Sequence, residues 1–553
     1  MSARSLALVF AVGLGVRFLV FFELRDSVLL EVLLGDSLGY VEWAREISGG
    51  AWRGNEVFYQ APLYPYFIAV VFAASDGSLM AVRVLQLLLG SAACVLITLA
   101  TARFFARTGF AQQAALAAGL LLALYPVAVF FDTIIQKTSV ASFLMALLLY
   151  LVSRFDEVDV VRWPLAAGGV LGALILTREN ALIFFPVIGL WCVLPVLTGN
   201  AGERALRLGL FAVGTAMILL PIGARNLSLG DEFLITTSQL GPNLYIGNNP
   251  EADGRYRALL PDRGDVRHER HDARRLAEHA TGQSLSPAEV SDYWASRVFD
   301  FMRGEPAAWL RLNLHKLWMV FNAEEIADTE SLDSYRVESF GLNALGWLYH
   351  FGVLFPLAVI GMVKTRKHWR ELAVLHAMAL AMALGVAAFF VMSRYRFPLV
   401  AILVMFAGVG VASLWRAMRE DGLSGVWGSR ESKQALVTGL VVAVLCNLPV
   451  GLAQEPRALT QFNVAMAMLQ RERFEDAQRY LERAAEVSVE PVVHLQLGAV
   501  LEHRGALARA VDHYETMLAD RRADPAELKR RLAALHRRQG DEERAKQIEG
   551  EAP

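Results

Sequence analysis

Residues 5–22 read SLALVFAVGLGVRFLVFF, a run in which Arg17 is the one charged residue. About 20 largely apolar residues in a helix cross the roughly 30 Å of a bilayer's hydrocarbon, so this run reads as a membrane span. Arg17 interrupts it and no small-residue cleavage site follows, which makes it a retained helix rather than a signal peptide. Further stretches of the same kind lie near 79–102, 112–131, 138–153, 164–177, 181–198, 207–223, 341–363, 371–392, 398–415 and 435–453, the one at 164–177 being short. The expected fold is therefore an all-α membrane protein with about eleven transmembrane helices.

Composition agrees. Of 553 residues 55% are hydrophobic and 20% charged, and the mean hydropathy is +0.38. A soluble domain carries more charge and shorter apolar runs. The net charge of −2 gives no reason to expect a nucleic-acid partner. Cys94, Cys192 and Cys446 all lie in apolar runs without metal-ligand spacing, which argues against a disulfide scaffold. Segment 62–74 (PLYPYFIAVVFAA) is apolar but too short to span and carries Pro62 and Pro65, so an interfacial or re-entrant helix is expected there.

Lys and Arg in short loops mark the cytoplasmic side. The loops with Arg103 and Arg107, Arg154 and Arg162, Arg204 and Arg207, Lys364 to Arg370, and Arg416 to Lys433 alternate with less basic ones. Placing them inside makes the chain a multi-pass protein of the plasma (inner) membrane with a cytoplasmic N-terminus. Loops 23–78, 132–137, 178–180, 224–340 and 393–397 then face out, as does the C-terminus. The last part of the large outer loop, PAAWLRLNLHKLWMVFN at 306–322, mixes Trp309 and Trp318 with Arg311 and Lys316, which suits a helix lying at the interface. The expected parts are a membrane module at 1–223, an extracytoplasmic loop domain of mixed structure at 224–340, further membrane helices at 341–453 and a soluble tail at 458–553.

The tail repeats. Ala465, Gly498 and Ala533 precede Ala477, Ala510 and Ala545 by twelve residues each, and the latter set is spaced by 33 and 35. Ala477, Leu481 and Ala484 correspond to Ala510, Tyr514 and Met517; Gly505 and Gly540 fall at equivalent turns, and Pro491 closes the first unit. The pattern resembles tetratricopeptide repeats, α-solenoid helix pairs packed through small residues, with two good units and a degenerate third as cap. An ordinary helical hairpin tail is the plainer alternative. Such repeats bind peptides or proteins.

The strongest chemical signal lies in the first outer loop: GDSLGYVEWAREI at 35–47, then FYQAPLYPYFIAVVF at 58–72. Asp36 is followed at helical spacing by Tyr40 and Ala44, and locally Asp36 or Ser37 reads equally well as a helix cap. Further along come Leu124-Tyr125-Pro126, Thr177-Arg178-Glu179-Asn180, Pro221 to Asn226 (P-x-x-x-R-N), GPNLYIGNNPEADG at 241–254 and SRYRFP at 393–398. In this order and topology, over most of 1–415, the motifs resemble the GT-C integral-membrane glycosyltransferases, in the branch of protein O-mannosyltransferases and lipid A aminoarabinose transferases.

That resemblance implies inverting transfer of a sugar from a polyprenyl-phosphate donor to an acceptor protein or glycan on the outer face. It makes Asp36 the general base, and a carboxylate desolvated near the bilayer is expected to have a raised pKa. The leaving phosphate needs cations, and Arg178, Arg225, Arg394 and Arg396 are the candidates at outer helix ends, with Arg225 and Arg396 preferred. Each also reads as an interfacial side chain reaching lipid headgroups. Tyr40, Gln60, Tyr64, Asp132 and Lys137 are the expected substrate-binding residues. Two departures stand out: Gln136-Lys137-Thr138 replaces a common Glu, and Gln60 stands where aminoarabinose transferases often carry a charge. No cofactor is implied with certainty; a divalent metal stays open, with Asp36 and Asp132 as candidate ligands, Asp132 reading also as an interfacial cap. Glu179 is expected to pair with Arg178, and the HERHD run with His268, Glu269, His271 and Asp272 lacks HExxH spacing and reads as solvated surface. The alternatives are a transporter or lipid flippase, or a non-catalytic membrane scaffold, with the repeats as a protein-binding part.

Overall fold

The computed structural model describes residues 1–157, 159–230, 233–260, 266–450, 454–488, 490–518 and 525–550. It is all-helical among these residues. In chain order the helices are α1 (Ala3–Leu24), α2 (Val28–Glu31), α3 (Asp36–Ser48), α4 (Leu63–Ser75), α5 (Leu79–Phe104), α6 (Ala111–Ala123), α7 (Pro126–Thr133), α8 (Thr138–Val152) and α9 (Arg162–Ile175). After a 3-10 turn at Glu179–Ile183 come α10 (Phe184–Val193), α11 (Ala201–Gly230), α12 (Leu240–Ile246), α13 (Val266–Thr281), α14 (Pro287–Gly304) and α15 (Pro306–Val320). Then follow α16 (Leu332–Arg336), α17 (Phe340–Leu348), α18 (Phe351–Lys364), α19 (Ala373–Ala388), α20 (Ser393–Val426) and α21 (Arg430–Cys446). The tail holds α22 (Gln454–Leu469), α23 (Phe474–Ala485), α24 (Pro491–His503), α25 (Leu507–Leu518), α26 (Pro525–Arg538) and α27 (Glu542–Gly550).

Among the described residues, four helices are long and apolar enough to cross a membrane alone (α1, α5, α11 and α20), and up to six spans result if each of two bent pairs counts as one. The first pair, α6 and α7, bends by 50° where one straight span at 112–131 was expected. Tyr125 precedes a proline and is extended there (φ −73°, ψ 114°), while Pro126, without an N–H, opens the second helix. The second pair, α17 and α18, bends by 42° at Tyr349, and His350 caps the second helix by accepting from the Gly352 N–H. The other apolar stretches form shorter helices of 10–17 residues, including α4 at the segment read as interfacial or re-entrant.

Short helices survive here by close packing. A Cβ on Gly168 of α9 would sit 2.1 Å from the Phe211 carbonyl oxygen, and one on Gly214 of α11 2.2 Å from that of Leu165. The two backbones touch, which is how small residues join helices in lipid.

The chain divides into two compact units. One comprises Met1–Glu23, Gly35–Ile326 and Ser339–Val450 and holds the long apolar helices. The other comprises Leu24–Leu34, Ala327–Glu338 and Gly451–Pro553. In this second unit α22 to α27 pack each against the next, with Ala465, Ala477, Ala510, Ala533 and Ala545 fully buried. The unit differs from the expected tail at 458–553 by also taking in Leu24–Leu34 and Ala327–Glu338. Glu31 pairs with Arg471 and Arg473 at 2.8 and 2.6 Å, and Glu338 accepts from Ser27, Tyr480 and Arg483. Thr460 accepts from the Ser331 N–H at 2.9 Å, and buried Tyr335 donates to the Leu29 carbonyl at 3.1 Å.

Candidate functional site

Asp36 stands in the first turn of α3, preceded by Gly35 as N-cap at φ 49°, ψ −120°. That left-handed-side φ favours glycine, and it turns the chain so that the helix starts at the carboxylate instead of being capped by it. No side chain caps α3, so neither Asp36 nor Ser37 plays the capping role weighed for it.

The Asp36 carboxylate pairs with the Arg394 guanidinium, and both side chains are nearly buried. Gln60 Nε2 donates to Asp36 Oδ1 at 3.4 Å and the Tyr40 hydroxyl reaches Oδ2 at 3.5 Å. Tyr40 meets Tyr64 edge-on at 5.2 Å, and the Lys137 ammonium lies 5.8 Å from the Tyr40 ring centroid. Arg178 and Arg394 flank the Tyr395 ring at 5.3 and 5.1 Å. Arg178 Nη2 donates to Thr138 Oγ1 at 2.5 Å, but among the described residues its buried Nε and Nη1 have no hydrogen-bond partner. A buried guanidinium with open N–H groups is costly unless an anion meets it.

Charge sets the protonation states. Burial alone would raise the Asp36 carboxyl, but Arg394 and Lys137 beside it, with the hydrogen bonds from Arg394 and Gln60, hold it below its ordinary range. The raised value expected from desolvation is thus reversed by neighbouring cations. Burial, together with the like charges of Arg178 and Arg394, lowers Lys137 to about 8, against the pull of Glu179 and Asp36. Burial and Arg394 lower Arg178 to about 10.

The other expected residues lie elsewhere. Arg225 donates to the carbonyls of Arg53 and Glu56 at 2.7 and 3.0 Å and covers the Phe58 ring at 3.5 Å, so it fastens the 53–58 segment. Arg396 donates to the carbonyls of Val320, Asn322 and Glu324 and pairs with Glu325 at 2.6 Å. SRYRFP, expected as a turn, is the first turn of α20. Asp132 is buried against Arg17 at 2.8 Å. The two candidate metal ligands are therefore each held by an arginine, and among the described residues no group of three or more metal-ligating side chains gathers. Glu179 accepts from Thr237 and Gln239 at 3.0 and 2.6 Å instead of pairing with Arg178.

One residue escaped the sequence reading. His268 and His271 are exposed, as expected of a solvated run, but Glu269 is half-buried and Asp272 is buried. Tyr59 and Tyr256 donate to the two Glu269 oxygens at 3.2 and 3.3 Å. Burial, then the charge of Asp36, push Glu269 up to about 7. The signal was helical spacing: Glu269 lies four residues before Ala273 and eight before Ala277, both buried on α13. The site thus holds two carboxyls driven apart, one ionised and one able to keep its proton near neutrality, a division that separates acid and base roles.

Residues 59–223 match the family described as dolichyl-phosphate-mannose-protein mannosyltransferase. No curated protein matches in sequence. Among solved structures, the apo oligosaccharyltransferase of Archaeoglobus fulgidus is similar at 14% identity and a TM-score of 0.45, covering 88% of this chain and 60% of that one. The same archaeal enzyme, AglB, in complex with an inhibitory peptide and a dolichol-phosphate gives 13%, 0.44, 88% and 59%. ArnT from Cupriavidus metallidurans bound to undecaprenyl phosphate gives 15%, 0.42, 95% and 82%. The chain thus spans about 60% of the length of the archaeal enzyme.

Proposed function

We propose that this chain is a membrane glycosyltransferase that moves a sugar from a polyprenyl-phosphate donor to an acceptor hydroxyl. The observation that carries the reading is the Asp36 cluster: one ionised carboxylate among three cations, Arg178, Lys137 and Arg394, with two Arg178 N–H positions open. The match of residues 59–223 to a dolichyl-phosphate-mannose-dependent family supports the same class of donor.

In this reading the donor's phosphate sits on Arg178 and Lys137 and competes for Arg394. Losing Arg394 to the phosphate makes Asp36 a stronger base. Asp36 takes the acceptor's proton as its oxygen attacks the anomeric carbon, and the bond from that carbon to the phosphate oxygen breaks on the opposite face. The sugar is delivered with inversion, and the phosphate's growing charge is met by the cations.

The acceptor is proposed to be a protein presented by the tail, on the extracytoplasmic face. Support comes from the tail itself, where α22 to α27 pack each against the next with small residues buried between them, as in repeats that hold peptides. The test is Asp36→Asn in purified protein supplied with polyprenyl-phosphate sugars. Transfer is expected to fall by about 10²–10⁴-fold in protein that remains folded; undiminished transfer removes Asp36 as the base.

A further inference from the structure

Arg17 lies in the middle of the most N-terminal span, where an ionisable side chain is expensive and rarely without a task. Its Nε pairs with Asp132 of α7 at 2.8 Å, and Nη1 donates to the carbonyls of Gly13 and Ala123 at 3.1 and 3.3 Å. Both side chains are 3% exposed or less. Gly90 of α5 makes the room: a Cβ there would stand 1.9 Å from Asp132 Oδ2 and 2.7 Å from Arg17 Nε. Four residues before that glycine, fully buried Gln86 donates from Nε2 to the carbonyls of Asp132 and Ile134 at 3.2 and 2.7 Å. Its Oε1 accepts from the Tyr64 hydroxyl at 2.5 Å, and Tyr64 packs on Tyr40, whose hydroxyl reaches Asp36.

These contacts form one buried polar path between the two halves of the site. Ile134 opens the short connection to Lys137, which heads α8, while Tyr64 and Tyr40 back the carboxylate. A buried ion pair is weak evidence for stability, because apolar side chains of like volume often do as well. What it supplies is a fixed register, and the one fixed here is that of the Lys137 connection.

We propose that Gln86, seated by the Arg17–Asp132 pair, is a positioning residue that holds Lys137 in register with Asp36. The proposal rests on the transferase reading for its effect on rate, while the register itself has a separate readout.

The experiment uses Gln86→Met, which keeps volume and removes both hydrogen-bonding ends, and the double variant Arg17→Met with Asp132→Leu, which leaves no orphaned charge. Competitive acylation of Lys137 across pH, read by mass spectrometry on the full chain in detergent, reports the amine's surroundings without any substrate. Its midpoint is expected to move by about half a unit or more in both variants, since that spacing sets the interactions with Asp36 and Arg178. An unchanged midpoint in either variant overturns the proposal. In the transfer assay, kcat is expected to fall about 10–100-fold at an unchanged thermal midpoint, the scale of a small misplacement of a catalytic group. A kcat within threefold of wild type in both variants likewise overturns it. If wild type itself transfers no sugar while the acylation midpoint moves, the transferase reading fails and the positioning role stands.

Discussion

Arg394 and Arg396 stand two residues apart on the first turn of α20 and reach different carboxylates, Asp36 and Glu325. Two residues on an α-helix are about 200° apart, so the side chains leave on opposite sides. Cations at a helix N-terminus oppose the macrodipole, and here each is matched by an acid. The pair separates two tasks. Arg394→Met is expected to lower kcat and raise the donor KM, with a smaller loss of stability than Arg396→Met because Lys137 and Gln60 still face Asp36. Arg396→Met frees the 320–325 turn and leaves Glu325 without its cation. It is expected to cost about 3–5 kcal/mol of stability, with kcat of the folded fraction near wild type. Thermal unfolding and kinetics on the same preparations decide, and equal kinetic losses in both variants contradict the division.

Lys137 makes donor binding pH-dependent. Its ammonium is lowered to about 8 by burial and like charges, so it is charged below that pH and neutral above it. Affinity for a polyprenyl-phosphate analogue is expected to decline as pH rises through about 8. Lys137→Arg keeps its charge to far higher pH, and in that variant the decline should vanish. Equilibrium binding from about pH 6 to about pH 10 checks it, and a variant that declines in parallel with wild type excludes Lys137.

Glu269 makes stability pH-dependent in the opposite direction from an ordinary acid. Its folded pKa of about 7 lies above the usual 4.5, so the native state keeps a proton that the unfolded chain releases. That contribution is complete below about 4.5 and is lost as pH rises through about 7. The midpoint of wild type, referred to Glu269→Gln, should therefore drop between about pH 5 and about pH 8. A constant difference across that range places the proton elsewhere.

Lys316 is fully buried with no acid beside it among the described residues, and its Nζ donates to the carbonyls of Gly247 and Phe389 and to Asn248 Oδ1 at 2.9, 3.0 and 3.0 Å. It pins α15 to the ends of α12 and α19. Lys316→Met deprives three acceptors, two of them at buried contacts, of the ammonium and is expected to cost on the order of 3 kcal/mol, read as a lowered unfolding midpoint. An unchanged midpoint shows that water replaces the ammonium.

In the tail, a Cβ on Gly498 would lie 2.5 Å from the Tyr514 ring. Gly498→Val is expected to destabilise the second unit by about 1–3 kcal/mol and to expose sites in α24 and α25 to limited proteolysis. Protease resistance equal to wild type contradicts that packing.

How much of this was legible depended on whether the signal was local. The twelve-residue spacing of Ala465 to Ala477 and its echoes found small residues that are indeed buried between helices, because periodicity lives within a few turns. Asp36 was visible as a carboxylate opening a short helix. Its partner was not: Arg394 and Arg396 look alike in sequence, and what separates them is which way each leaves α20. Arg17 was noted only as an interruption, since Asp132 is 115 positions away and nothing local links them. The stretch at 112–131 was read as one span, and Pro126, without an N–H, bends it by 50°. Glu269 was hidden by its exposed histidine neighbours, although counting by fours to Ala273 reveals its face.

Because Leu24–Leu34 and Ala327–Glu338 belong to the tail's unit, that unit cannot be lifted out by one cut. Stopping the chain near 453 strips Glu31 of Arg471 and Arg473 and Glu338 of Tyr480 and Arg483, and bares the surface around Tyr335, inviting aggregation of the truncated protein. A tail grafted onto another membrane enzyme would arrive without α2 and α16 and lack one of its own faces. Inheritance faces the same constraint: substitutions in the repeats and in those two loop segments have to be accommodated together, so a recombination joint at that boundary is disfavoured.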